Sequence, residues 1–172
     1  MPRARARRSA ARRDIRLLVL DVDGVLTDGR LYFGPDGETL KVFHVRDGLG
    51  VKLLQRAGIA VAVVSGRSSA ALASRCRELA IAHVVQAASD KLAAVAQLAR
   101  ELKLDMQEIA CVVDDTSDLP LVAAVGLAFA VRDAHPEVRR AARLVTRLPG
   151  GRGAVREACD WLVRNAAKGA RA

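Results

Sequence analysis

A chain of 172 residues with 51% hydrophobic content suits one domain with a sizeable core, and no apolar run reaches the roughly 18–20 residues of a membrane-spanning helix. The net charge of +9 does not describe the body. Arg3, Arg5, Arg7, Arg8, Arg12, Arg13 and Arg16, set against Asp14, carry +6 of it and leave about +3 for the rest. The cysteines Cys76, Cys111 and Cys159 are too few and too scattered for a disulfide framework or a CxxC metal site, and read as buried free thiols of a reducing cytoplasm. His44, His83 and His135 lack metal-ligand spacing. Residues 1–13 bury little apolar surface, so a disordered, solvated tail is expected there, rather than a nucleic-acid arm or a transit peptide. The domain is expected over 14–165, with a short C-terminal tail at 166–172.

In chain order, Ile15 to Val22 reads as a buried strand. Arg30 to His44 holds two β-prone runs around Gly34-Pro35-Asp36-Gly37, the chemistry of a tight turn, and predicts a projecting β-hairpin. Leu49 to Ala57 predicts a helix stopped by Gly58, and Ile59 to Val64 a second buried strand. A helix over Ser69 to Leu79 and a short strand at His83 to Gln86 follow. Asp90 to Leu102 predicts a helix capped by Ser89. Ile109 to Val113, Leu127 to Val131 and Leu144 to Thr146 complete the strands. Asp118 to Val125, Pro136 to Ala142 and Gly153 to Asn165 complete the helices. Continuous apolar runs alternating with helices imply an α/β class, a Rossmann-like three-layer sandwich with a mainly parallel sheet.

Ligands of such sheets bind at the carboxyl ends of the strands. The first run ends in Asp21-Val22-Asp23-Gly24, two carboxylates that repel unless a cation or proton joins them. The second ends in Ser65-Gly66-Arg67, a hydroxyl, a flexible amide and a guanidinium able to hold an anion. Lys91 opens the helix after the third. The fourth ends in Asp114-Asp115-Thr116-Ser117-Asp118. Singly, each has an ordinary reading as a cap, a turn or a solvated loop. Together, two acidic strand ends suit one hard cation such as Mg²⁺, and Ser65 and Lys91 suit phosphate oxygens. In-line attack on phosphorus by a carboxylate needs mainly positioning and charge neutralisation.

This ordered set resembles the haloacid dehalogenase superfamily of phosphohydrolases. The resemblance implies that Asp21 attacks phosphorus while Asp23 serves as acid and then base. It also implies that Ser65 and Lys91 hold the transferred group. Asp21, the Asp23 carbonyl and Asp114 would bind Mg²⁺, and Asp118 would orient a metal-bound water. Longer strings, Asp21 to Gly29, Phe43 to Gly48, Asp118 to Pro120, Asp133 to Pro136 and Gly150 to Glu157, resemble the 3-deoxy-D-manno-octulosonate 8-phosphate (KDO 8-phosphate) phosphatases. That likeness covers roughly residues 14–165. It implies a capless homotetramer of the cytoplasm, making KDO and phosphate for lipopolysaccharide. Substrate contacts carried over by position are Asp23, His44, Val45, Arg46, Asp47, Gly48, Lys52, Arg67, Arg75, Lys91 and Ser117. Arg46, Lys52, Arg67 and Arg75 suit an anionic sugar acid.

Val113 and Ala87 stand where that family usually has glycine, which puts local loop geometry in question but removes no catalytic group. Gly150 to Gly153 suggests a mobile segment near the mouth. Competing readings are a phosphatase for nine-carbon sugar-acid 9-phosphates, one for nucleic-acid ends, and a non-catalytic assembly domain. Few aromatics outside the core argue against nucleic acid.

Overall fold

The computed structural model describes residues 14–169. The basic tail expected over 1–13 lies outside the described residues, as do residues 170–172.

The apolar runs form a parallel sheet buried on both faces. Its strands are β1 (Leu17–Leu20), β4 (Ala60–Val64), β5 (His83–Val85), β6 (Ile109–Val113), β7 (Leu127–Ala130) and β8 (Leu144–Val145), in the spatial order β5-β4-β1-β6-β7-β8. Every pairing is parallel. β1 lies inside the sheet and is almost fully buried, from 0% exposed at Leu17 to 2% at Val19. Only aliphatic residues in extended backbone satisfy that position without an unpaired polar group. The chain runs outward from β1 through β4 to β5, then returns to β6 on the other side of β1. The crevice between β1 and β6 is therefore the switch point where such sheets bind ligands.

The helices are α1 (Val45–Arg56), α2 (Ala70–Glu78), α3 (Lys91–Leu102), α4 (Leu119–Ala124), α5 (Pro136–Ala141) and α6 (Ala154–Gly169). α1 begins four residues before the expected Leu49, because the His44 side chain accepts from Arg46 N at 3.2 Å and caps it. α3 is capped by Asp90, which accepts from Ala93 N at 2.9 Å, and not by Ser89. α6 runs on past Asn165 to Gly169. α1 and α6 pack closely at Gly50, where a Cβ would come within 3.0 Å of the Arg156 backbone.

The projecting hairpin is present as its own antiparallel pair, β2 (Tyr32–Gly34) and β3 (Gly37–Leu40), turning at Pro35 and Asp36. Gly37 sits at φ +109°, a conformation that suits glycine. The hairpin adds nothing to the main sheet, and its apolar members stay exposed: Leu31 44%, Phe33 64%, Leu40 46% and Val42 53%.

Candidate active site

Two charged clusters meet at the carboxyl edge of the sheet. The first is built by strand register. Leu20 of β1 is level with Val63 of β4 and Val112 of β6, so Asp21, Ser65 and Asp114 leave one sheet edge within a residue of one another. Asp21 is held at the tip by its N–H donating to Val112 O at 3.1 Å. A short 3₁₀ turn, Thr116–Asp118, folds Asp118 back underneath until it is fully buried. Oxygens of Asp21, Asp114 and Asp118 lie within 4.8 Å of one another. Lys91, at the first turn of α3, reaches Asp21 Oδ1 at 2.9 Å and Asp118 Oδ1 at 2.7 Å.

One ammonium among three carboxylates leaves a deficit of positive charge. Burial pushes Asp21 above the usual carboxylate range, partly offset by Lys91. Burial, then the charges of Asp21 and Asp118, pushes Asp114 up to about 8. Burial alone would pull Lys91 down, but Asp21 and Asp118 outweigh it and hold its pKa above the ordinary value. Asp118 Oδ2 is buried with no hydrogen-bond partner. Crowded, raised carboxylates with a spare oxygen are what a hard, oxygen-seeking divalent cation would relieve.

The second cluster is gripped by the hairpin. β1 ends at Leu20, so Asp23 lies in the following turn, where side-chain direction is no longer set by strand alternation. Its Oδ1 accepts from Lys41 Nζ, which also lies 2.7 Å from Glu38 Oε1. Arg67 donates through Nη2 to Glu38 Oε2 at 3.2 Å and places Nε 3.6 Å from Asp23 Oδ2. Its guanidinium also lies over the Phe33 ring, 5.9 Å from the centroid. The hydrogen bond from Lys41 leads the effects that hold the Glu38 carboxyl below its usual range. Glu38 and Lys41 are site residues that sequence reasoning misses. On and just past a short hairpin they read as ordinary polar alternation, and only the contact of Lys41 with Asp23 and of Glu38 with Lys41 and Arg67 distinguishes them.

Ser65 is buried, with its hydroxyl oxygen accepting from Arg67 N at 3.1 Å, and so ties the turn after β4. Asp23, Arg67 and Lys91 are thus brought to the site with Ser65. The rest of the substrate set is placed differently. Asp47 is 1% exposed and spends its carboxylate on α6, accepting from Gly153 N at 3.2 Å and Arg156 N at 2.8 Å. Burial raises its pKa against those two bonds. Within one chain it is a helix cap and not a free substrate contact. Arg75 pairs with Glu78 at 2.8 Å, lies over Phe43 and fills the space that a Cβ on Gly48 would need. Lys52 is exposed in a shallow groove with Gln55, Arg56, Glu78, Leu79 and Ala80. Val45, Arg46 and Ser117 are exposed, and His44 caps α1.

Glycines set the floor of the site. Gly24 has φ +84°, and a Cβ there would overlap the Asp114 carboxylate. Its N–H donates to Thr27 Oγ1 at 3.3 Å, which also accepts from Gly29 N at 3.2 Å. The Gly150–Gly153 stretch, expected to be mobile, is tied down. Gly151 N donates to Val25 O at 2.8 Å, Gly150 N to Asp133 Oδ1 at 2.9 Å, and a Cβ on Gly150 would strike Gly24 O. Of the two departures from glycine, Ala87 does adopt left-handed backbone, φ +54°, whereas Val113 is an ordinary buried strand residue.

Residues 78–155 match a family described as haloacid dehalogenase-like hydrolases. The chain is similar to the 3-deoxy-D-manno-octulosonate 8-phosphate phosphatase of Escherichia coli, 48% identical over 87% of this chain and 80% of the relative. It is also similar to the crystal structure of that phosphatase from Yersinia pestis, with TM-score 0.87 and 46% identity over 90% of this chain and 84% of that one. A third similarity is to the enzyme from Moraxella catarrhalis, solved with magnesium ion, phosphate ion and KDO. There the TM-score is 0.87, with 36% identity over 91% of this chain and 90% of that one.

Proposed function

Because the chain belongs to the haloacid dehalogenase-like hydrolases, and among them to the 3-deoxy-D-manno-octulosonate 8-phosphate phosphatases, we propose that it hydrolyses KDO 8-phosphate to KDO and phosphate through a phosphoaspartate on Asp21. The observation that carries this reading is the convergence of Asp21, Lys91, Asp114 and Asp118 at one sheet edge.

Asp21 attacks phosphorus. The Asp21 oxygen–phosphorus bond forms as the phosphorus–oxygen bond to the sugar breaks. A proton from the Asp23 carboxyl goes to the departing oxygen, leaving a free sugar hydroxyl. Asp23, now a carboxylate, takes a proton from water as that water attacks phosphorus, and the bond to Asp21 breaks to release phosphate. Lys91 neutralises charge on Asp21 and on the transferred group, and the Ser65 turn holds the phosphoryl oxygens. Asp21, Asp114 and the Asp23 carbonyl would hold Mg²⁺, with Asp118 behind them; bound there, the ion offsets charge on the phosphoryl oxygens. The buried, unpartnered oxygen of Asp118 and the raised Asp114 support that assignment.

The exposed apolar face of the hairpin supports a homotetramer in which hairpins pack together and neighbouring chains roof each site. A neighbouring chain is also where Arg46, Lys52 and Arg75 would serve, since in their own chain Arg46 and Lys52 face solvent and Arg75 is engaged by Glu78 and Phe43. Three buried free cysteines support a cytoplasmic protein. Among the described residues no helix is long and apolar enough to cross a membrane.

The test is phosphate release with Mg²⁺ across KDO 8-phosphate, a nine-carbon sugar-acid 9-phosphate, glucose 6-phosphate and a 5′-phosphorylated oligonucleotide. KDO 8-phosphate is expected to exceed glucose 6-phosphate in kcat/KM by about 100-fold or more. Equal efficiency would reduce the protein to a general phosphatase.

A further inference from the structure

Lys41 has the most buried side chain of the ion-paired cations among the described residues, 2% exposed, although it lies just past the end of a two-stranded hairpin. Lysine is almost never buried so fully without a partner and a reason. Its partners are Glu38, on the same hairpin, and Asp23, eighteen residues earlier in the chain. The hairpin is therefore two-faced. Glu38 and Lys41 turn inward, with side chains 11% and 2% exposed, while Phe33 and Leu40 are 64% and 46% exposed.

The two oxygens of Asp23 are not equivalent. Oδ1 accepts from the Lys41 ammonium. Oδ2 has only Arg67 Nε at 3.6 Å, beyond hydrogen-bond distance, and that Nε has no hydrogen-bond partner of its own. An ammonium can donate but cannot accept, and it is met better by a bare carboxyl oxygen than by one that carries a proton. A proton in transit belongs on the other oxygen.

We infer that Lys41 is a positioning residue for the acid–base step. It fixes the Asp23 carboxyl by Oδ1 and reserves Oδ2 as the oxygen that gives a proton to the departing sugar hydroxyl. Glu38 anchors Lys41 in turn. In the first step the proton leaves Asp23 Oδ2 for the sugar oxygen as the phosphorus–oxygen bond breaks. In the second, Oδ2 takes a proton from the attacking water. Lys41 keeps its own protons throughout. This assignment rests on the phosphatase reading above. It adds that the hairpin is part of the acid–base apparatus and not only a roof.

Leaving-group dependence tests it. A sugar alkoxide needs a proton to depart, whereas 4-nitrophenolate does not. The parameter is kcat/KM, which reports steps only through the first phosphoryl transfer. Lys41→Met is expected to lose about 10- to 100-fold in kcat/KM on KDO 8-phosphate and less than about 3-fold on 4-nitrophenyl phosphate. Glu38→Gln, which leaves Lys41 in place, is expected to show the same bias with a smaller loss, and it carries the test if Lys41→Met does not fold. Light scattering and the rise in Tm on adding Mg²⁺ check that assembly and metal site match the wild type. Equal losses on both substrates, or no loss on either, would overturn the assignment. If the wild type prefers another alkyl phosphate, that ester replaces KDO 8-phosphate. The substrate reading then fails in the wild-type panel, while the role of Lys41 still stands or falls on the ratio.

Discussion

The carboxylates of the sheet edge and Asp23, the proposed acid–base residue beside them, are held in opposite ways. Asp21 and Asp114 extend from two adjacent strands buried on both faces, and Asp118 is locked under them at 0% exposure. To move any of the three, the core must move. Asp23 sits beyond the strand, and one of its two cationic partners, Lys41, lies just past a hairpin that pairs only with itself and is anchored there by Glu38 of that hairpin. A two-stranded hairpin is marginal alone in water. The proposed nucleophile is thus preorganised by the fold of one chain, whereas the proposed proton donor leans on a hairpin outside the main sheet. Damage to the first region should erase the chemistry. Damage to the second should weaken it in proportion to how far the hairpin is released.

The largest effect expected is at the nucleophile. Asp21→Asn should lower phosphate release by at least about 10³-fold with an unchanged circular dichroism spectrum, since an amide does not readily form the acyl phosphate. Near-normal turnover would refute the phosphoaspartate route. Next comes the metal. Excess chelator should stop turnover and Mg²⁺ should restore it, with the Mg²⁺ requirement raised sharply in Asp114→Ala.

The same cluster predicts a pH dependence. Asp114 is raised from 3.8 to about 8 in the folded, metal-free protein, so its contribution to stability is fully present below pH 3.8 and is lost as pH rises through about 8. The cation binds the deprotonated set, so the gain in Tm on adding Mg²⁺ should be larger near about pH 9 than near about pH 6. A gain that is flat or falls with pH would contradict the raised carboxylate.

The hairpin gives a smaller, graded effect. Leu31→Glu and Leu40→Glu together should dissociate the assembly by light scattering and cost roughly 10-fold in kcat/KM, without unfolding the domain. A folded monomer with undiminished activity would remove the shared roof. The smallest effect is at Ala87. Relieving its φ of +54° with Ala87→Gly should stabilise the protein by about 0.5–1 kcal/mol, read as a modest rise in Tm.

The sheet and its switch point are legible in the sequence because burial on both faces forces uninterrupted aliphatic runs, and each run announces its end with a charged or small residue. That is why the residue pattern alone places Asp21, Ser65 and Asp114 at one edge. Lys41 and Glu38 are not legible, because a lysine and a glutamate near a turn are common and their meaning lies in the contact of Lys41 with Asp23 and of Glu38 with Lys41 and Arg67 across the intervening chain. Asp47 is legible only as part of a string. What its carboxylate does depends on Gly153 and Arg156, 106 and 109 residues later, and no local pattern encodes a pairing over that distance. Helix ends slip for a similar reason. Ser89 and Asp90 are both good caps by type, and the chain geometry chooses between them.

The tie between the Gly150–Gly153 stretch and the loop after β1 bears on how the protein is made. A ribosome delivers β1 and Asp21 well before α6, yet Gly24 and Val25 are braced by Gly150 and Gly151, and Asp47 waits for the amides of α6. The nascent chain can therefore assemble much of its sheet while the loop after Asp21 still lacks its far support. Catalytic competence should arrive abruptly, with the emergence of α6, and not accumulate strand by strand. Ribosome-arrested chains ending at Pro149 should bind no Mg²⁺ productively and release no phosphate. Chains carrying an added C-terminal linker long enough to free α6 from the exit tunnel should do both.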